Sequence, residues 1–216
     1  MNKRVEKIQI SGIRRFAEKV KKVEGAISLT IGQPDFNVPI AVASGMINAV
    51  ETNKTSYTSN AGIDELREEI CTYLRNFNIK YNKDEVCITV GGSEGLFSVF
   101  FALMNTGDKI LIPGPAYPAY ENISTMIGAD VVHYRLNDDF TINIDEIKNK
   151  LDTEDIRYLM LSFPSNPTGA ILTKDQRDEL IEIIKEREIT VITDEMYASI
   201  ISFIYISEHA TYPILK

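Results

Sequence analysis

Four apolar segments of the sequence are each followed at once by residues that could bind a ligand. These residues are Gly92-Ser93-Glu94 in a glycine-rich turn, Tyr117 between two prolines, Asn166 before a proline, and Asp194 with Tyr197. A glycine-rich turn that opens a helix can bind phosphate, because the first helical amides and the helix dipole attract anions. An aromatic ring can stack on a flat ligand, and a carboxylate at the edge of an apolar core needs a cation.

Each of these residues also has an ordinary structural explanation. Ser93 could be the N-cap of a helix that follows a tight turn. Tyr117 could pack beneath its own loop, Asn166 could belong to a turn that joins a strand to a helix, and Asp194 could cap a helix. Each signal is weak by itself, so their combination matters more than any one of them.

The segments that position these residues alternate between strand-like and helix-like patterns. Strands are predicted at 85–90, 109–114, 130–136, 157–163 and 189–197. Helices are predicted between them, one of which starts at the capping box Thr173-Lys-Asp-Gln176, and three more precede the first strand. This alternation predicts an α/β fold of three layers, αβα, with a mostly parallel sheet. Ligands bind at the carboxyl ends of such strands, so we expect the candidate residues to lie close together.

Composition and charge exclude several classes of function. The chain has 216 residues, a formal net charge of −8 and no basic run longer than Lys21-Lys22, so nucleic acid is not an expected partner. No apolar run approaches the ~20 residues of a membrane-spanning helix, and the N-terminus does not resemble a signal peptide. Cys71 and Cys87 do not make a disulfide framework. We therefore expect a cytoplasmic protein that does not bind membranes.

Pyridoxal phosphate (PLP) matches all of these groups. Its phosphate suits the helix start, and its flat ring suits Tyr117. A carboxylate such as Asp194 beside the ring nitrogen keeps that nitrogen protonated, and the ring can then accept electrons from the substrate α-carbon. A phenol and an amide beside the ring oxygen O3′ tune the same chemistry. A generic nucleotide-binding domain is the weaker alternative, because the sequence has neither a dinucleotide fingerprint nor a Walker motif.

Six motifs, in order, resemble those of the class I/II aminotransferases of the fold-type I PLP-dependent superfamily, and most of all their bacterial aspartate/aromatic branch. The motifs are "IGQPDF", "YTSNAGIDELREEI", "VGGSEGLF", "IPGPAYPAY", "SNPTGAIL" and "TDEMY", from about Ile27 to Tyr197. The resemblance implies an N-terminal arm with part of a small domain over residues 1–45. It implies an incomplete PLP-binding large domain over residues 46–216.

The resemblance implies how the cofactor would be bound at one end. Gly92, Ser93 and Glu94 would present backbone groups to the phosphate, and Ser93 would add its hydroxyl. Tyr117 would stack on the pyridine ring. Tyr57 would reach across a dimer interface to the phosphate of the neighbouring subunit, which implies a homodimer.

The resemblance also implies roles at the other end of the cofactor. Asn166 and Tyr197 would hydrogen-bond O3′, and Asp194 would pair with the ring nitrogen. Gly32 would lie against the substrate carboxylate. The implied reaction moves an amino group between an L-amino acid and a 2-oxo acid.

The catalytic lysine of the family has no counterpart in this sequence. In the family, a lysine in a Ser-Lys motif forms the Schiff base with the cofactor and transfers a proton, several tens of residues beyond the aspartate. No Ser-Lys pair follows Tyr197, and the terminal Lys216 matches no motif. We therefore expect the 216 residues to be a truncated form that is inactive alone and does not bind PLP stably.

Two other functions remain open at this point. A carbon–sulfur lyase of the same fold would use the same cofactor site and eliminate a group from Cβ. A catalytically inactive remnant would keep the fold and bind ligand weakly or associate with partners.

Overall fold

The computed structural model describes residues 2–8, 12–32, 34 and 36–198. In this part of the chain the helices are α1 (Lys3–Glu6), α2 (Gly12–Val20), α3 (Ile40–Glu51), α4 (Asp64–Arg75), α5 (Gly92–Leu103), α6 (Pro118–Ile127), α7 (Ile144–Thr153) and α8 (Lys174–Lys185). The strands are β1 (Lys109–Gly114), β2 (Asp130–Arg135), β3 (Tyr158–Ser162) and β4 (Thr190–Asp194). Lys83–Glu85 forms a single 3-10 turn.

The four strands form one parallel sheet in the order β2-β1-β3-β4. Strand β3 is buried along its whole length, and β1 is buried except at its two end residues. Ser162, the last residue of β3, lies opposite Asp194, the last residue of β4. The predicted parallel α/β sheet is therefore confirmed, and the carboxyl ends of β3 and β4 meet at the same edge.

Helices cover both faces of the sheet. Successive side chains of a strand point to opposite sides, so apolar residues of β1 and β3 need a packing partner on each face. On one face Ile110 and Ile112 of β1 pack with residues of α5 and α6, such as Phe100 and Ile123. On the other face Leu111 of β1 packs with residues of α7 and α8. These two cores confirm the predicted three-layer arrangement.

Local signals in the sequence define the ends of two helices. The Thr173 hydroxyl accepts a hydrogen bond from the backbone amide of Gln176, and the Gln176 side chain accepts one from the backbone amide of Thr173. These two hydrogen bonds form the predicted capping box of α8. Gly128 ends α6 in the left-handed conformation, with φ of 93°. The guanidinium of Arg4 donates to the carbonyl of Ile127 at 2.6 Å and to the hydroxyl of Thr106 at 3.1 Å.

The strand predicted at 85–90 is wrong. Glu85 ends the 3-10 turn, and the residues that follow are extended but pair with no strand in the described part of the chain. The amide of Ile88 donates instead to the carbonyl of Ala61 at 2.9 Å. Cys87 is exposed in this segment, whereas Cys71 is buried in α4. The apolar pattern of 85–90 predicts extended backbone correctly, but a strand also needs a hydrogen-bonding neighbour.

Other predictions are observed only in part or concern features that the structure does not test. The predicted helix from Ser11 to Gly25 is observed from Gly12 to Val20, and Ser11 lies outside the described residues, as does Lys216. The division of the chain at residue 45 stays a prediction. No helix among the described residues is long and apolar enough to cross a membrane.

Candidate functional site

The start of α5 offers free amides at the edge of the sheet. Gly91 is the N-cap, with φ of 79°, and Gly92 is the first helical residue. The first helical amides have no acceptor within the helix, so those of Gly92, Ser93 and Glu94 can bind an anion. Ser93 is not the N-cap, so that alternative is wrong. The carboxylate of Glu94 turns back and accepts a hydrogen bond from the backbone amide of Val90.

The side chain of Tyr117, at the start of α6, contacts Ser93 at the start of α5. It is the N-cap of α6, and Pro118 is the first residue of that helix. The Tyr117 and Ser93 hydroxyl oxygens are 3.4 Å apart, at the long end of hydrogen-bond distances. The Tyr117 ring packs edge-to-face on Tyr120, with ring centroids 5.6 Å apart. Tyr117 is therefore partly exposed beside the start of α5, while part of its side chain packs against the core.

Asp194 accepts hydrogen bonds from two neutral donors. The buried Tyr120 hydroxyl donates to Asp194 Oδ2 at 2.8 Å, and the backbone amide of Met196 donates to Oδ1 at 3.1 Å. Burial, together with the negative charge of Asp194, raises the pKa of Tyr120 well above its usual value, so this phenol remains a donor. In the described part of the chain no cation pairs with Asp194, and no helix follows that it could cap. Its carboxylate can therefore accept a cationic ligand.

Sequence reasoning did not find Tyr120. It lies three residues after Tyr117 on a helix opened by a proline, so its ring follows Tyr117 on the same face. A buried tyrosine hydroxyl usually has a hydrogen-bond partner, and this expectation was the available signal. The partner itself lies 74 positions away in the sequence, and only the folded sheet brings the two residues together.

Asn166 and Tyr197 form a second polar pair at the same edge. The Asn166 amide donates to the Tyr197 hydroxyl at 3.4 Å. Asn166 lies in the loop after β3, and Tyr197 lies in the turn after β4. Because β3 and β4 are neighbours in the sheet, both side chains belong to the edge that carries Asp194.

No contact among the described residues brings Tyr57 or Gly32 to this edge. The side chain of Tyr57 is fully exposed. Gly32 is exposed as well, with open space where a side chain would start. Their expected roles stay predictions.

The arrangement suits a flat ligand with an anionic and a cationic end. Contacts run from the helix-start amides through Ser93, Tyr117 and Tyr120 to the carboxylate of Asp194. An anion can bind at the first end and a protonated nitrogen at the last, with an aromatic ring between them. Among the described residues no three His, Cys, Asp or Glu side chains are grouped to bind a metal ion.

Comparison with known proteins gives one consistent family. The aminotransferase class I and II family matches residues 24–205. The chain is 36% identical over 204 residues to the probable N-acetyl-LL-diaminopimelate aminotransferase of Bacillus subtilis, covering 93% of this chain and 51% of that protein. It is 34% identical over 216 residues to the aspartate aminotransferase of Pyrococcus horikoshii, covering 99% of this chain and 54% of that protein.

Solved structures give the same result. The alanine aminotransferase from Pyrococcus furiosus superposes with a TM-score of 0.82 at 32% identity, covering 91% of this chain and 52% of that one. The chain thus spans about half the length of the relatives that it matches. With the matched residues extending over most of the sequence and the same fold in the solved relatives, the chain belongs to the class I and II aminotransferase family.

Proposed function

We propose that the chain forms the cofactor-binding part of an aminotransferase that moves an amino group between an L-amino acid and a 2-oxo acid. The observation that carries the proposal is the hydrogen bond from buried Tyr120 to Asp194, at one end of a series of contacts that starts at the first turn of α5. The relatives named above are aminotransferases, which favours transamination over the carbon–sulfur lyase alternative.

The residues of the site fit PLP by their chemistry. Amides of Gly92, Ser93 and Glu94 would bind the phosphate, and Tyr117 would stack on the ring. When bound, PLP supplies an electron sink for the bond-breaking step at the substrate α-carbon.

At the other end of the ring, Asp194 would hold the ring nitrogen in its protonated state, because a partly buried carboxylate is stabilised by a cation. Tyr120 fixes the orientation of that carboxylate through its hydrogen bond. Asn166 and Tyr197, which already contact each other, would share the ring oxygen O3′ as hydrogen-bond donors.

The remaining roles concern substrate and assembly. Gly32 would allow the substrate carboxylate to approach closely, since no side chain fills the space beside it. Tyr57, whose phenol is fully exposed, would bind the phosphate in a partner subunit of a homodimer. The 216 residues alone would bind cofactor only reversibly and without turnover, because no lysine in them lies in a matching motif.

Binding of pyridoxamine phosphate tests the proposed site. This form of the cofactor has no aldehyde, so it cannot react with surface lysines, and calorimetry reports only the non-covalent site. We expect Asp194→Ala to weaken binding roughly 10-fold or more, since a charge-assisted hydrogen bond is lost. The matched control is Asp138→Ala, an exposed aspartate in the turn after β2, which should bind like the parent chain. Equal affinity of the two variants would contradict the proposed site.

A further inference from the structure

Two helical turns of the chain begin with a complete capping box, at Asn82 and at Thr173. In each, the side chain of the N-cap residue accepts a hydrogen bond from a backbone amide of the first turn. The side chain three residues later, Glu85 or Gln176, accepts one from the backbone amide of the N-cap residue. A capping box therefore occupies an amide that a helix start could otherwise offer to a ligand.

The start of α5 has only half of this arrangement. Its N-cap is Gly91, which has no side chain, so no N-cap oxygen accepts an amide of the first turn. The other half is present but displaced by one residue, because Glu94 accepts from the amide of Val90 instead of that of Gly91. The Gly91 amide is already engaged, since it donates to the carbonyl of Thr89 at 2.9 Å. The turn is thus closed without using the amides of residues 92–94, which form the proposed phosphate site.

Side chains, more than packing, hold the backbone of this turn. A Cβ added to Gly91 or Gly92 would meet no atom beyond its own neighbours within 4 Å. Val90 is 91% exposed as well. The Thr89 hydroxyl donates to the carbonyl of Gly91 at 3.0 Å, which adds one hydrogen bond to that of Glu94. Because glycine loses more conformational freedom on ordering than any other residue, these two hydrogen bonds are needed to order the helix start.

The carboxylate of Glu94 also brings a negative charge to the place where an anion would bind. It belongs to the first turn of α5, as do the amides of Gly92 and Ser93. A carboxylate at this position interacts favourably with the helix dipole, but it repels a second anion at the same helix start. The side chain therefore has two opposite effects: its oxygen orders the turn, and its charge weakens the attraction for phosphate.

We propose that Glu94 is a positioning residue of the phosphate site. Its side chain holds the turn of Gly91 and Gly92 so that the free amides of the first turn can bind one anion, and its charge limits how tightly that anion is bound. This role rests on the proposed function, in which the phosphate of the ligand binds at the start of α5. It concerns the side chain of Glu94 and is additional to the role of its backbone amide.

Two substitutions separate the effect of the oxygen from that of the charge. Glu94→Gln keeps an acceptor for the amide of Val90 and removes the charge, whereas Glu94→Ala removes both. The probe is orthophosphate, titrated while NMR follows the amide shifts of residues 92–94. At low salt the glutamine variant should bind roughly 3-fold more tightly than the parent chain, because the repulsion is gone. The alanine variant should bind roughly 5-fold more weakly than the glutamine variant, because its turn is less ordered.

Salt and amide exchange check the two effects separately. At about 1 M salt the Debye length is about 3 Å, so the advantage of the glutamine variant over the parent chain should largely disappear. The difference between the glutamine and alanine variants should persist, because it comes from a hydrogen bond to an uncharged acceptor. Without phosphate, the amide of Val90 should exchange roughly 5-fold faster or more in the alanine variant than in the glutamine variant.

A matched control lies in the helix layer on the opposite face of the sheet. Glu146 is the third residue of α7, as Glu94 is the third residue of α5, and α7 packs in the other core. Glu146→Gln removes the same charge at the same helical position. This variant should bind orthophosphate like the parent chain.

Several results would overturn the proposal. They are no response of residues 92–94 to orthophosphate, equal affinities of the glutamine and alanine variants, a glutamine variant that binds no more tightly than the parent chain at low salt, and an equal gain in Glu146→Gln. A chain that binds orthophosphate in the expected order of variants but does not bind pyridoxamine phosphate would contradict the proposed function and leave the role of Glu94 in place.

Discussion

Tyr134 is fully buried in β2, and its hydroxyl has no hydrogen-bond partner among the described residues. Burial raises the pKa of this phenol above the ordinary tyrosine value of 10.0. At high pH the unfolded chain therefore releases the Tyr134 proton while the folded chain keeps it. Because the folded state then binds more protons, its stability must fall as pH rises above about 10.

Tyr134→Phe should remove the share of this alkaline sensitivity that Tyr134 contributes, while the raised pKa values of Tyr120 and Tyr158 leave the rest in place. Near pH 7 the variant should be more stable by about 1 kcal/mol, since an unsatisfied buried hydroxyl is deleted. At pH 11 its advantage should grow by about 1.4 kcal/mol, the free energy of one pH unit for one group. Denaturant unfolding at both pH values measures the difference, and the exposed Tyr81, changed to Phe, is the control. A parallel pH dependence in Tyr134→Phe and the parent chain would refute this assignment.

The junction of α1 and α6 shows how one residue can secure a helix end. Gly128 ends α6 at positive φ, and a Cβ there would lie 2.7 Å from the guanidinium carbon of Arg4. Arg4 needs that space to reach the carbonyl of Ile127. A cation beside the last carbonyls of a helix also stabilises the helix dipole.

Gly128→Ala should be more destabilising than Gly107→Ala. Both glycines have positive φ, but a Cβ at Gly107 meets open space. Gly107→Ala should cost about 1–2 kcal/mol for backbone strain alone. Gly128→Ala should cost at least about 1 kcal/mol more, because it also displaces Arg4 from its hydrogen bonds. Urea unfolding measures the loss of stability in the two variants. In an Arg4→Ala background the extra loss at Gly128 should disappear. Equal losses in the parent background would show that Arg4 contributes nothing.

Signals that lie within a few residues predict the elements well. The capping box at Thr173 lies where the sequence predicts it. Local signals do not predict contacts between residues that are far apart in the sequence. The hydrogen bond from Arg4 to the carbonyl of Ile127, 123 positions away, is an example. The strand at 85–90 fails for the same reason, because its apolar pattern says nothing about a neighbouring strand.

For the site, the sequence predicts which residues follow the strands but not how they contact one another. The rule that parallel strands share one binding edge is enough to group Asn166, Asp194 and Tyr197. The hydrogen bond between Tyr120 and Asp194 needs the packing of α6 on the sheet, and no local pattern encodes it.

At the scale of the whole molecule, stability should be distributed unevenly. The central strands β1 and β3 are buried between two layers of helices, whereas α3 has no buried residue. Regions with few buried contacts open locally at low free energy. We therefore expect two parts of the same chain to differ sharply in their protection from solvent.

Hydrogen exchange measured by mass spectrometry checks this expectation. Amides of α3 should exchange at least roughly 100-fold faster than those of β1 and β3 in the chain alone. Helix α8, which is similar in length but packs Leu180 into the core, should be protected more than α3 and serves as the internal control. Equal protection of α3 and α8 would mean that α3 is already covered.

The two cysteines differ in exposure, so the chain can be labelled at a single site to report binding. Cys87 is exposed in the segment that leads to α5, while Cys71 is buried in α4 and shielded from reagents. A maleimide dye would therefore attach at one defined place without any engineering. That place precedes the glycine turn at which a phosphate would bind, so the emission of the dye offers an optical signal for ligand and partner alike.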